Sequence, residues 1–359
     1  MTAELTATNE NERARGLLGR QAAFREHTWS TRLYRSLASH DWLVMGYFVL
    51  VFFALLFGRG PGRVHCMYVV ATDLALVMAG LAITRGELIP RTSTWLITIN
   101  SFVYRMTLFM GIFLSYFQLR SILPAATERA VDAQIYAFDL KVFGFEPSLA
   151  WDHFVNAQTT EWFAFFYFGY FFILAIHVLP FVFAVNNERL VSQFAIGIFT
   201  VFCSAHTLYM LVPGYGPYKF LATEFHHELT GGTFWGLVNK TVDSMGAQKD
   251  IFPSLHTAAP TFFAMFSFRH RDKLPFKYTW PVVAFCACNI IVATMFLRWH
   301  YLIDIFAGIA LATVANLLGA YLTPWEMAKR RRQGVPPIFS PLALPTPRRY
   351  SEGAEQAAE

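Results

Sequence analysis

Trp162-Phe-Ala-Phe-Phe-Tyr-Phe-Gly-Tyr-Phe-Phe-Ile-Leu-Ala-Ile-His-Val-Leu-Pro-Phe-Val-Phe-Ala-Val185 runs for 24 residues without a formal charge. A hydrocarbon core of about 30 Å takes roughly 20 helical residues to cross, so a membrane span is read at 161–185. Working outward, further apolar runs are read at 42–58, 67–84, 96–118, 190–212, 256–270, 279–297 and 301–323. The fold class is therefore all-α, a polytopic membrane helix bundle of about eight spans. Composition agrees: 55% of the residues are apolar and 15% are charged, well below the charge content of a soluble domain. The run at 256–270 is short and carries Pro260 one turn in, which marks a kinked or tilted crossing.

The net charge is +5, but the basic residues flank the apolar runs, where they act as topology signals. No nucleic-acid partner is expected. Arg13, Arg15, Arg20, Arg25, Arg32 and Arg35 precede the first run, Arg269, Arg271, Lys273 and Lys277 follow the sixth, and Lys329 to Arg332 follow the eighth. With alternating spans these fall on one side, together with both termini. The loops at 119–160 and 213–255 fall on the other, with a thinner scatter of Arg120, Arg129, Lys141, Lys219, Lys240 and Lys249.

The chain divides into a cytoplasmic N-terminal segment (1–40), N-terminal transmembrane helices (41–120), a catalytic membrane domain (121–325) and a cytoplasmic tail (326–359), disordered from about 333. The polar N-terminus is too long for a cleaved signal peptide, so the first span is expected to be a retained anchor. The loop at 213–255 reads as an interfacial segment. The cysteines, Cys66, Cys203, Cys286 and Cys288, lie in or beside apolar runs and suggest neither a disulfide framework nor a zinc site.

Three segments converge on the non-cytoplasmic face: Pro213-Gly-Tyr-Gly-Pro-Tyr-Lys219, Lys249-Asp-Ile-Phe-Pro-Ser-Leu-His256 and Arg298-Trp-His-Tyr-Leu-Ile-Asp304. A helix would set Asp304 one turn from His300 on the same face. The carboxylate would then fix the imidazole tautomer and leave the other nitrogen as a nucleophile toward phosphorus. His256 suits a general acid, because imidazole titrates near neutral pH. Arg298, Lys219, Lys249 and Ser254, with backbone N–H groups opening the sixth span, are candidates to hold phosphoryl oxygens.

Pro-Ser-x-His followed by Arg-x-His-x-x-x-Asp resembles the second and third signature motifs of the type-2 phosphatidic acid phosphatase superfamily. Asp139-Leu-Lys-Val-Phe-Gly-Phe-Glu-Pro-Ser148 resembles a stretch of its inositol phosphorylceramide synthase branch. The likeness covers roughly 130–320. It implies a six-helix phosphatase-like core, His300 as phosphohistidine-forming nucleophile, Asp304 as its partner and His256 as acid, with no metal or other cofactor. It further implies a phospholipid or lipid phosphate substrate, with ceramide or diacylglycerol as a lipid acceptor. The first motif departs from the pattern, with Tyr218 after Pro217 and the base delayed to Lys219. So does the third, with Thr294 where the broader superfamily has Arg. The expected location is the plasma (inner) membrane.

Blander readings apply elsewhere. His177 and His206 are expected to be packing residues, Arg105 to form a structural ion pair, and His226, His227, Glu224 and Glu228 to form a solvated loop face. Tyr167 and Tyr170 are expected to pack or face lipid, with an acyl-chain groove as the alternative. A proton-coupled transporter and a catalytically silent scaffold are the rival functions; relay residues belong near mid-membrane, whereas His256, His300 and Asp304 fall at span ends.

Overall fold

The structure is a computed structural model that describes residues 16–89 and 92–342; Arg13, Arg15 and residues 343–359 lie outside it. Seven described helices are long and apolar enough to cross a membrane: α1 (Ser39–Phe57), α2 (Arg63–Arg85), α3 (Thr94–Ala126), α5 (Ala157–Phe183), α6 (Glu188–Leu211), α9 (Phe276–Phe296) and α10 (Leu302–Gln333). Between them lie α4 (Asp132–Phe143), α7 (Thr233–Met245) and α8 (Leu255–Arg269). The chain is an all-helical integral membrane protein.

The sixth expected span, 256–270, corresponds to α8, whose 15 residues measure about 22 Å, too short for the hydrocarbon core, and so seven of the eight expected spans are long enough to cross. It still runs through the bundle. The Ser254 N–H donates to the Asp304 carbonyl at 3.2 Å, where α10 begins. At the far end of α8, Arg269 Nε donates to Asn316 Oδ1 at 2.7 Å. The two helices therefore run side by side in the same direction, and α9, which links them in the chain, runs back the other way. Because α8 packs against α5, α6, α9 and α10, protein surrounds it in place of lipid, and its length need not match a bilayer.

Helix α10 extends ten residues beyond the run read at 301–323. Its extension meets the start of the bundle: Ser39 Oγ donates to Glu326 Oε2 at 2.7 Å, and Arg330 Nη2 donates to the Ser36 carbonyl. Both ends of the described chain thus lie at one end of the bundle, opposite the site. The tail expected to be disordered from about 333 is instead docked as far as 342. Val335, Ile338, Phe339 and Leu342 are buried, and Ile338 N and Leu342 N donate to Glu188 and Asn186, each at 2.7 Å. Four apolar side chains and side-chain anchors outweigh the proline-rich composition there.

Candidate active site

Helix α9 ends in a Schellman motif. Trp299 N donates to the Thr294 carbonyl and Arg298 N to that of Met295, both at 2.9 Å, while Arg298 takes the left-handed conformation with φ 67°. Glycine is usual at that position, and a side chain there costs about 1–2 kcal/mol. Contacts of the guanidinium offset the cost. Arg298 Nη2 donates to Asp152 Oδ1 at 2.8 Å and to the His227 carbonyl, and the group lies 3.8 Å from the Phe225 ring centre. Burial works to raise the Asp152 pKa, but His227, the His226 amide and Arg298 together bring it below the usual carboxylate value.

The turn delivers His300 just before α10. Asp304 stands in the first turn of α10, where its Oδ2 accepts from the Tyr301 N–H at 2.9 Å and lies 3.4 Å from His300 Nδ1. Here the structure corrects the sequence reading: the pair spans a helix N-terminus instead of a helical turn, because Tyr301 is extended (φ −76°, ψ 164°). The spacing still brings imidazole and carboxylate together. The start of α10 is held from outside by Asp139, whose carboxylate accepts from Leu302 N at 2.7 Å and Ile303 N at 3.2 Å. Asp132 lies seven residues earlier and hence on the same face of α4. It accepts from Tyr215 N at 3.0 Å and Gly216 N at 2.8 Å.

Glycines let the three segments touch. Gly216 has φ 99°, and a Cβ there would run into the Trp299 carbonyl, while one on Gly214 would meet Ile251 and one on Gly308 would meet Ser254 and Thr257. Tyr218 N donates to the Arg298 carbonyl at 2.7 Å, joining the first segment to the third. Ser254 caps α8, its Oγ accepting from Thr257 N at 3.2 Å. That places His256 in the first turn of α8, its ring 4.3 Å from Tyr167 and 4.2 Å from Tyr170.

His256 and His300 line one cavity of about 590 Å³. Its histidine end is shared by Asp250, Trp299 and Tyr218, and an aromatic trough between α3, α5 and α6 continues from it past Phe113, Phe171 and Phe202 to Arg105. The tyrosines Tyr167 and Tyr170 belong to the wall, so they face the cavity and not lipid. Burial pushes the His300 pKa down to about 4, with Asp250 acting against it; the imidazole is neutral at physiological pH. The nearby Asp250 carboxyl is pushed up by burial and drawn back by His300.

The four residues read as phosphate ligands stand apart from this wall. Arg298 is committed to Asp152 and His227. Lys219 is exposed, its ammonium 3.5 Å from the Tyr215 ring centre. Lys249 is buried, donating to the Thr127 carbonyl at 3.1 Å, and the hydroxyl of Ser254 serves as a helix cap. Each is held by backbone or aromatic contacts that sequence spacing does not reveal.

Residues 133–318 match a family described as the PAP2 superfamily. The chain belongs to the PAP2 superfamily. The matched stretch runs from α4 into α10 and contains Tyr218, Asp250, His256, Trp299 and His300 of the cavity's histidine end, whereas Tyr116 on α3 lies before it. No curated protein and no solved structure matches the chain. Members of the PAP2 superfamily are typically phosphatases and phosphotransferases, and membership places this protein in the lipid phosphatase and phosphotransferase class.

Other titratable residues have packing roles. His177 Nδ1 bonds the Ile173 carbonyl at 2.8 Å and its ring stacks on Phe263. His206 is enclosed by Tyr47, Tyr116, Phe202 and Tyr209. Arg105 meets the carbonyls of Phe181 and Val185 at 2.7 and 2.9 Å, backbone acceptors in place of the expected carboxylate. His227 is tied to Asp152 at 3.1 Å, so part of the 224–228 loop is anchored. Sequence reading missed Asp250 and the anchoring carboxylates Asp132 and Asp152. The seven-residue interval from Asp132 to Asp139 was the one available signal.

Proposed function

We propose that this protein transfers a phosphoryl group on a lipid through a phosphohistidine at His300. The observation that carries the reading is that His256 and His300 line one cavity with an apolar trough, while Asp304 lies 3.4 Å behind His300 Nδ1. With Nδ1 facing the carboxylate, Nε2 is the nitrogen left to attack. Its lone pair forms the P–N bond and the P–O bond to the lipid alcohol breaks; burial lowers the His256 pKa to about 3, so His256 takes up its proton beside the anionic phosphate and then gives it to the departing oxygen. The acceptor hydroxyl then returns a proton to His256 as its oxygen bonds to phosphorus and the P–N bond opens.

Water as acceptor gives a lipid phosphatase; a lipid alcohol such as ceramide or diacylglycerol gives a head-group transferase. The inositol phosphorylceramide synthase-like stretch favours the transferase, since Asp139 within it anchors the start of α10. The trough suits acyl chains, and the chemistry needs no metal. A site on the non-cytoplasmic face of the plasma (inner) membrane is supported by Arg269, Arg271, Lys273, Lys277 and Lys329 to Arg332, all at the opposite end of the bundle.

The test uses detergent-purified protein with chelator and labelled phospholipids, with and without ceramide or diacylglycerol. His300→Ala is expected to abolish turnover and His256→Ala to lower it about 10²- to 10⁴-fold. Full activity in His300→Ala sinks the mechanism, and loss of activity with chelator alone turns the reading to a metal enzyme.

A further inference from the structure

The cavity wall offers an unusual charge pattern for a site that handles phosphate. Its one carboxylate, Asp250, lies at the histidine end, and its one Lys or Arg side chain is Arg105, at the other. Arg105 and Tyr116 are eleven residues apart on α3, or about 16 Å. Lys219 and Lys249 are not part of the wall; both sit behind one of its residues, Tyr215, their ammoniums 3.5 and 5.6 Å from that ring's centre. Around Asp250 the cavity is lined by the phenol rings of Tyr116, Tyr167, Tyr170, Tyr209 and Tyr218, all within electrostatic reach of its carboxylate.

A carboxylate among aromatic faces attracts an organic cation, because ring quadrupoles and the anion act in the same direction. The same carboxylate repels a phosphate monoester dianion and leaves inositol or glycerol head groups without a charge partner. We infer that the site takes a zwitterionic phosphodiester lipid, with phosphorus at His300 and a choline- or ethanolamine-type ammonium held by Asp250 and the surrounding tyrosines. This rests on the phosphoryl-transfer reading and adds the substrate's head group to it. When His300 attacks, the diacylglycerol oxygen leaves and the ammonium-bearing phosphoryl group stays on His300, next to Asp250.

The test compares phosphatidylcholine, phosphatidylethanolamine, phosphatidylinositol and phosphatidic acid, at equal mole fraction in mixed micelles, with wild-type protein and Asp250→Asn. The expected result is a kcat/KM on the order of tenfold or more higher for the ammonium lipids, a ratio that falls toward one in Asp250→Asn. In wild-type protein, tetramethylammonium should inhibit and free inositol should not, a comparison that does not depend on a variant folding. A preference for anionic lipids, or an Asp250→Asn loss equal across all donors, overturns the inference. If the wild type turns over no lipid, the transfer reading is what fails. Equilibrium binding of fluorescent phosphatidylcholine against phosphatidylinositol then decides the head-group inference: preference for choline upholds it and equal binding refutes it.

Discussion

Removing the Asp139 carboxylate isolates the anchoring of the proposed catalytic pair, His300 and Asp304, from the pair itself. Asp139 is fully buried and touches neither His300 nor the cavity wall, yet it accepts from Leu302 N at 2.7 Å and Ile303 N at 3.2 Å. Hydrogen bonds to a charged group contribute about 1.5–3 kcal/mol each, and loss of a helix N-cap costs about 0.5–2 kcal/mol. The two bonds share one carboxylate and one helix end, so they do not add fully, and Asp139→Ala should cost about 3 kcal/mol. Asp139→Asn keeps one acceptor oxygen and loses the charge, for about half that cost. Thermal stability in a fixed detergent, read as the fraction surviving size-exclusion chromatography after heating, should rank wild type above Asn above Ala. Below the transition, kcat should fall about tenfold or more in Asp139→Ala with KM little changed, since the pair and not the trough is loosened. Lys141→Ala, on the exposed face of the same helix, serves as a control expected to match wild type. An Asp139→Ala protein with wild-type stability and kcat would refute the anchoring argument, as would Asn proving worse than Ala.

Asp152→Ala strips the buried Arg298 guanidinium of its carboxylate and should destabilise by about 3 kcal/mol; unchanged thermal stability would show that the ion pair is idle. Gly216→Ala forces a side chain at φ 99° into the Trp299 carbonyl and should abolish activity, whereas Gly169→Ala, with open space around it, should retain it in the same assay. For pH, burial lowers His300 from 6.5 to about 4. The stability carried by its neutral form is complete above pH 6.5, declines as pH falls, and is gone once the pH is through about 4. The proposed nucleophile is therefore expected to be unprotonated at pH 5, and kcat/KM should show its acid limb near pH 4 and not near 6.5; a limb near 6.5 that survives His256→Gln would contradict this.

Much of the fold was legible because membrane helices announce themselves in single apolar runs. The runs at 42–58 and 161–185 became Ser39–Phe57 and Ala157–Phe183 within a few residues, since lipid demands local hydrophobicity whatever the neighbours. The reading was least secure where protein replaces lipid. Helix α8 is shorter than a span because other helices enclose it, and the segment 334–342 is docked because its apolar side chains find a surface that composition cannot reveal.

The same division runs through the site. Sequence by itself determined that His300 and Asp304 would meet, because four residues of chain allow it either along a helix or across its start, and that α8 and α9 would carry His256 to the same face. Tertiary structure alone decided which charges share the cavity. Arg298, Lys219, Lys249 and Ser254 lie in or beside the motifs, but Asp152, Tyr215, the Thr127 carbonyl and the cap of α8 claim them from elsewhere in the chain or from the local backbone. Asp250 instead remains on the cavity wall. Spacing fixes what neighbouring residues can reach, whereas a long polar side chain goes to whichever partner the folded chain supplies, and only packing determines which that is.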